Sequence, residues 1–126
     1  MGGGYILIRP LVEKYDEGLN LVNLPENIQR AFYIWGCKGS DKRGCHANKN
    51  SQFWLICISG SCSVDVSYKG KKETFDLNDK TKILYLDKMV WKEMYNFSND
   101  AVLLVLSDRK FDPTEYIRNR NELVRV

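Results

Sequence analysis

Between Cys62 and Leu77 the chain keeps a strict two-residue rhythm. Cys62, Val64, Val66 and Tyr68 fall on one side and Ser63, Asp65 and Ser67 on the other, as in a strand with one dry face. Lys69-Gly70 offers a turn, and Lys72 to Leu77 resumes the rhythm with Phe75 and Leu77 apolar, so residues 62–77 predict a β-hairpin. Phe53 to Ile58 is apolar at every position, which suits a central strand covered on both sides, or one covered partly by a second subunit; Gly60 ends it. Further strands are predicted at Arg30–Trp35, Lys82–Leu86, Met89–Met94 and Ala101–Ser107, with weaker ones near Tyr5–Ile8 and Leu19–Leu24. Asp112-Pro113-Thr114-Glu115 reads as a helix start leading into a short turn through Tyr116 and Ile117. Many short strands joined by turns predict an all-β sandwich or jelly roll with a short C-terminal helical turn.

The chain has 126 residues, the size of one domain, so residues 1–126 are expected to share a single core. Gly2 to Gly4 are set aside as a flexible start or an expression remnant. Nineteen Lys and Arg against sixteen Asp and Glu leave +3. The basic residues are scattered among acids, which argues against a nucleic-acid partner, and Arg118, Arg120 and Arg125 read as a solvated terminal segment. The longest apolar runs fall far short of the ~20 residues that cross a bilayer, so no membrane partner is expected and the protein is read as cytoplasmic. Cys37, Cys45, Cys57 and Cys62 form no CxxC pair, and Cys57 and Cys62 lie within apolar strands where thiols act as small hydrophobes. With His46 the only histidine, a Cys/His zinc module is disfavoured.

The polar stretch between two predicted strands, Gly36 to Ser51, carries Arg43-Gly44-Cys45-His46-Ala47-Asn48-Lys49. If it is extended, His46, Asn48 and Asn50 project from the same face, and such a face at a barrel mouth can hold a ligand. This segment, followed by Phe53-Trp54-Leu55-Ile56-Cys57-Ile58-Ser59-Gly60-Ser61-Cys62, resembles the RGxHAHK…QxLxCLxGS signature of sugar-nucleotide 3,4-ketoisomerases. The likeness runs in order along nearly the whole chain. Arg30 to Ile34 is similar to that family's RxYYI, Ile83 to Met94 to its LYxxxxVWxEM, Val102 to Ser107 to its VLLVLAS, and Asp112 to Asn119 to its YDExDYIRxY.

The resemblance implies a cupin jelly roll, a homodimer with a site inside each barrel, and a deoxythymidine diphosphate (dTDP) sugar as substrate. The reaction implied moves a ketone from carbon 4 to carbon 3 of a 4-keto-6-deoxyhexose, with no metal and no other cofactor. Carried onto this chain, the catalytic candidates are His46, Asn48 and Tyr33, and the substrate-binding candidates are Arg43, Lys49, Arg30, Trp91 and Glu93. Glu93 stands where the wider cupin pattern has its last metal ligand and is expected across the barrel from His46, where its charge would favour the imidazolium. With Asn48 and Phe53 at two other ligand places, no metal site is expected.

Three positions depart from the ketoisomerase pattern. Asn48 stands at the second histidine of HAH, Phe53 at a glutamine and Phe32 at the first tyrosine of YY. A ketone shift needs a base at carbon 3, support for an enediolate and a proton for carbon 4, and an amide does not titrate near neutrality. His46 could make both carbon transfers alone, with the Asn48 amide donating to the oxyanion. Two readings stand: an isomerase working through His46, or a non-catalytic nucleotide-sugar-binding or accessory protein that kept the fold.

Overall fold

The computed structural model describes residues 4–8, 12–16 and 19–123. The strands are β1 (Tyr5–Ile8), β2 (Val12–Asp16), β3 (Leu19–Leu21), β4 (Arg30–Trp35), β5 (Arg43–Asn48), β6 (Phe53–Ser59), β7 (Cys62–Tyr68), β8 (Lys71–Leu77), β9 (Ile83–Leu86), β10 (Trp91–Tyr95), β11 (Val102–Ser107) and β12 (Tyr116–Ile117). A 3₁₀ turn at Pro113–Glu115 precedes β12, and a short helix α1 (Arg120–Leu123) follows it. Two five-stranded antiparallel sheets, ordered β1-β9-β6-β11-β4 and β12-β5-β10-β7-β8, face each other, and β2 pairs with β3 in a separate two-stranded sheet. This is the jelly roll of the cupins.

The predicted hairpin forms as β7 and β8, paired from Cys62↔Leu77 to Tyr68↔Lys71. Both turn residues are left-handed, Lys69 at φ 49° and Gly70 at φ 82°, the backbone twist that a two-residue hairpin turn requires. The dry face of β7 meets β6 across the barrel, with Leu55, Cys57, Val64, Val66, Leu84 and Leu103 all fully buried in one cluster. Removing such a side chain costs roughly 2–5 kcal/mol, so this cluster holds the sheets together.

The second face of β6 is covered from within the chain. Trp54 and Ile56 pack against Ile83, Tyr85, Leu106 and the incoming segment Val22, Leu24 and Ile28. The two-faced strand therefore needs no second subunit along most of its length. What stays bare on that outer face lies nearer β4, where Tyr33 is 64% exposed, Trp35 69% and Ile58 43%.

Two sequence expectations are corrected, and one open reading is settled. Gly4, set aside with the start, is an ordered part of the fold: its carbonyl accepts from Asp87 N at 2.7 Å, and at φ +63° a Cβ there would meet the Tyr68 ring at 2.6 Å. Gly2 and Gly3 lie outside the described residues. The helix start at Asp112 is real, its carboxylate accepting from Thr114 N at 3.0 Å. The turn ends after Glu115, however, because Tyr116 and Ile117 pair with Asn48 and Ala47 as an edge strand. Within the polar stretch 36–51 the extended reading holds for β5, Arg43–Asn48, though Asn50 lies beyond its end.

Candidate active site

A cavity of about 280 Å³ opens between the sheets at the β4 and β5 end. One wall comes from Phe32 and Ile34 on β4, Phe53 and Leu55 on β6 and Val105 on β11; the other comes from Arg43, Gly44 and His46 on β5, Lys92 and Met94 on β10 and Tyr116 on β12. It is mostly apolar with a few polar groups, the usual make-up of a small-molecule site.

A β-bulge aims the key side chain. On β10, Lys92 pairs with His46 but the next residue, Glu93, pairs with Gly44, so Cys45 is the extra residue. Gly44 and Cys45 both have positive φ, 80° and 57°. At Gly44 a Cβ would meet Met94 Cε at 2.9 Å and Lys92 O at 3.0 Å, so this position requires glycine. Cys45 is not a glycine, and holding it left-handed costs roughly 1–2 kcal/mol. The bulge bends the strand so that Arg43, Gly44 and His46 all line the cavity, while Cys45 and Ala47 pack behind it with Trp91 and Ile117.

His46 Nδ1 lies 2.9 Å from the Gly44 carbonyl. A carbonyl only accepts, so Nδ1 carries the proton and the lone pair is on Nε2. Tyr116 stacks on the ring at 4.4 Å and 11°. Burial, followed by the cation of Lys92, brings the imidazole down to about 4, against a weaker opposing pull from the Gly44 hydrogen bond. At pH 7 the ring is neutral and ready to accept a proton.

Lys92 was not among the sequence candidates, yet it faces His46. It is 5% exposed, and Nζ donates to Asn48 Oδ1 at 3.0 Å while sitting 4.3 Å from the centre of the Phe53 ring. Burial brings its pKa down to about 7, with Arg30 adding to the depression and Glu115 opposing it. Glu115 is itself buried under the β5–β6 turn, accepting from Asn50 N at 2.9 Å and from Ser51 Oγ. Burial alone would raise its carboxyl, but the bonds from Ser51 and Asn50 leave it below the ordinary value. Asn48 is 1% exposed, and its Nδ2 has no hydrogen-bond partner.

The other candidates divide. Arg43 lines the cavity. Arg30 lies beside it, its guanidinium 5.6 Å from the Phe53 ring and 5.8 Å from Phe32, with Nη2 at 3.4 Å from Ser107 Oγ. Tyr33 lies on the other face of β4 from Phe32 and Ile34 and does not reach the cavity of its own chain. Lys49 is exposed, bound through its backbone N to Glu115 O at 3.0 Å, and is not in the cavity wall. Trp91 and Glu93 also face away. The Trp91 indole donates to Glu93 Oε2 at 2.9 Å, and Lys42 and Arg120 pair with the same carboxylate at 3.1 and 2.7 Å. Those bonds, the indole's foremost, hold Glu93 down at about 2. The expected Glu93 beside His46 is thus corrected: strand alternation turns Glu93 out and Lys92 in, and the charge facing the imidazole is positive, which disfavours the imidazolium. Tyr116, on the edge strand β12, closes the cavity beside the His46 ring on which it stacks. Among the described residues no group of three or more His, Cys, Asp or Glu side chains converges as a metal site would need.

The family described as FdtA (WxcM-like, C-terminal) matches residues 17–126. The chain is 38% identical over 96 residues to the TDP-4-oxo-6-deoxy-α-D-glucose-3,4-oxoisomerase of Aneurinibacillus thermoaerophilus, covering 76% of this chain and 69% of that one. Its fold is similar to that of WlaRA, a TDP-fucose-3,4-ketoisomerase from Campylobacter jejuni, at TM-score 0.86 and 36% identity over 97% of this chain and 94% of that one. It is likewise similar to QdtA, a sugar 3,4-ketoisomerase from Thermoanaerobacterium thermosaccharolyticum in complex with TDP, at TM-score 0.88 and 30% identity over 99% and 95%. A jelly roll holding a neutral histidine in an apolar cavity, a sequence match across most of the chain and these structural likenesses agree: the chain belongs to the FdtA family of sugar 3,4-ketoisomerases.

Proposed function

We propose that this protein moves the ketone of a TDP-linked 4-keto-6-deoxyhexose from carbon 4 to carbon 3, with His46 as the base that carries the proton between the two carbons. The observation that carries this reading is the His46 ring itself. It is neutral, oriented by Gly44 and Tyr116, and lines, with its unprotonated Nε2, a cavity of about 280 Å³, near the lower end of small-ligand pockets. An apolar wall strengthens every charge interaction with an enediolate formed against it. Arg43 on the cavity wall and Arg30 beside it supply the cationic donors that a diphosphate requires.

The whole chain acts as one cupin domain in this reading, and two copies associate through the bare outer face of β4 and β6 where Tyr33, Trp35 and Ile58 are exposed. All four cysteines are free thiols, in keeping with a cytoplasmic enzyme. No helix among the described residues is long and apolar enough to cross a membrane.

The test is proton NMR of TDP-4-keto-6-deoxyglucose incubated with the protein. The 3-keto isomer should accumulate, and Arg43→Ala should weaken TDP binding by about tenfold, the loss of one charge-assisted contact. Protein that binds TDP but returns the sugar unchanged would establish the alternative, a non-catalytic nucleotide-sugar binder.

A further inference from the structure

Moving a ketone between neighbouring carbons needs two proton exchanges, one between the carbons and one between their oxygens. His46 serves the first. For the second, the sequence offers nothing at its most obvious place, because Asn48 does not titrate. The structure offers Lys92. Its Cα is paired with that of His46 across β5 and β10, and its side chain lines the same cavity. Two of the three departures from the family pattern, Asn48 and Phe53, are the groups that touch its Nζ, one as hydrogen-bond acceptor at 3.0 Å and the other as an aromatic face at 4.3 Å. An amide oxygen and a ring face both suit an ammonium; an imidazolium at position 48 would repel it. These departures therefore form a set built around the lysine.

Resting on the isomerase reading, we propose that Lys92 is the second catalytic residue of this chain, exchanging protons with the substrate oxygens at carbons 3 and 4, and that Asn48 and Phe53 are positioning residues for its Nζ. An ammonium has three donors. Asn48 takes one, and the cavity side is open to a ligand.

The steps balance. His46 Nε2 takes the proton from carbon 3, the C3–H electrons form the C3=C4 bond, and the carbonyl electrons move to the oxygen on carbon 4, which takes a proton from the Lys92 ammonium. The intermediate is a neutral enediol between an imidazolium and an amine. Lys92 then takes the hydroxyl proton from the oxygen on carbon 3, the C3=O bond forms, and the C3=C4 electrons take the proton of the His46 imidazolium at carbon 4. Both side chains return to their starting states, with no oxidant or reductant.

Three charged or titratable groups from neighbouring elements act on Lys92: His46 on β5, Arg30 on β4 and Glu115 in the 3₁₀ turn. Burial outweighs the attraction of Glu115, and a lysine whose proton affinity falls to about 7 can both give and take at neutral pH. The lysine must start protonated, so kcat/KM should fall on the alkaline side as Lys92 loses its proton.

The experiment compares wild type, Lys92→Met and Lys92→Ala on TDP-4-keto-6-deoxyglucose from pH 5 to 10, with TDP affinity measured alongside. Lys92→Met should retain TDP binding and lose ~100-fold or more in turnover, the usual worth of a positioned acid or base. Turnover of Lys92→Ala should rise with added propylamine, which a merely structural lysine would not allow. Wild-type turnover in Lys92→Met would overturn the proposal, as would a wild-type profile flat to pH 10, a test that needs no variant to fold. Wild type that binds TDP without isomerising at any pH would instead remove the isomerase reading on which the proposal stands.

Discussion

Lys92 and Glu93 are consecutive on β10 and meet opposite surroundings. Glu93 looks outward, where an indole N–H, a guanidinium and an ammonium all reach its carboxylate. Lys92 looks inward, where one amide oxygen and a ring face are its nearest partners and a second cation, Arg30, lies close enough to oppose its charge. The outer charge is held in its ordinary ionised form, and the inner one is driven toward neutrality. A fully paired group at a sheet surface adds stability and little else, whereas a charge left short of partners in an apolar cavity is available to a ligand. The same division applies to β5, whose bulge turns His46 in and leaves Cys45 behind the sheet.

The contrast breaks most sharply through His46. His46→Asn should retain TDP affinity and lose ~100-fold or more in turnover, while Glu93→Gln, on the outer face, should leave turnover within a few-fold of wild type. Equal losses, measured under saturating substrate, would mean that the outer cluster takes part in the chemistry.

A smaller effect sharpens the inner half. In Asn48→Asp a carboxylate would lie where the amide oxygen now accepts from Lys92 at 3.0 Å, which favours the ammonium. The alkaline limb of kcat/KM should therefore move to higher pH by about one unit or more. An unmoved limb would place the titrating group elsewhere.

The smallest effect belongs to the outer half and concerns stability. Glu93 falls from 4.5 to about 2 on folding. A carboxyl depressed in this way adds stability that is complete above its unfolded value and is lost as pH falls from about 4.5 toward 2. His46, lowered from 6.5 to about 4, has the opposite preference in the folded state, for the neutral form, yet it too makes stability fall with acid between those values, because the unfolded chain binds the proton first. Thermal melts of Glu93→Gln should accordingly sit a few degrees below wild type at pH 7, close part of the gap by pH 3 and converge on it toward pH 2, as expected of a partly exposed ion-pair cluster. Parallel curves would show that Glu93 contributes no pH-linked stability.

The division between faces also explains what the sequence could and could not disclose. The β7–β8 hairpin was legible because Ser63, Asp65 and Ser67 alternate with apolar residues, and its turn residues announce themselves. The family signature around His46 located the site. Which neighbours of each motif look inward was not legible: Phe32-Tyr33-Ile34-Trp35 and Trp91-Lys92-Glu93-Met94 carry large apolar groups on both parities, so alternation alone cannot say that Tyr33 and Glu93 face out. The bulge at Gly44-Cys45 hid β5, since a left-handed pair reads as a turn. Lys92 had one available signal, that it shares strand parity with the apolar Val90 and Met94, both of which are buried in the core.

The central claim is that the cavity performs proton chemistry at sugar carbon through His46. Its most direct test is solvent deuterium wash-in, followed by NMR or mass spectrometry on TDP-4-keto-6-deoxyglucose incubated with the protein in D₂O. The account predicts deuterium at carbon 3 of recovered substrate or carbon 4 of product with wild type, and at neither with His46→Asn. Wild-type exchange retained in full by His46→Asn would contradict it.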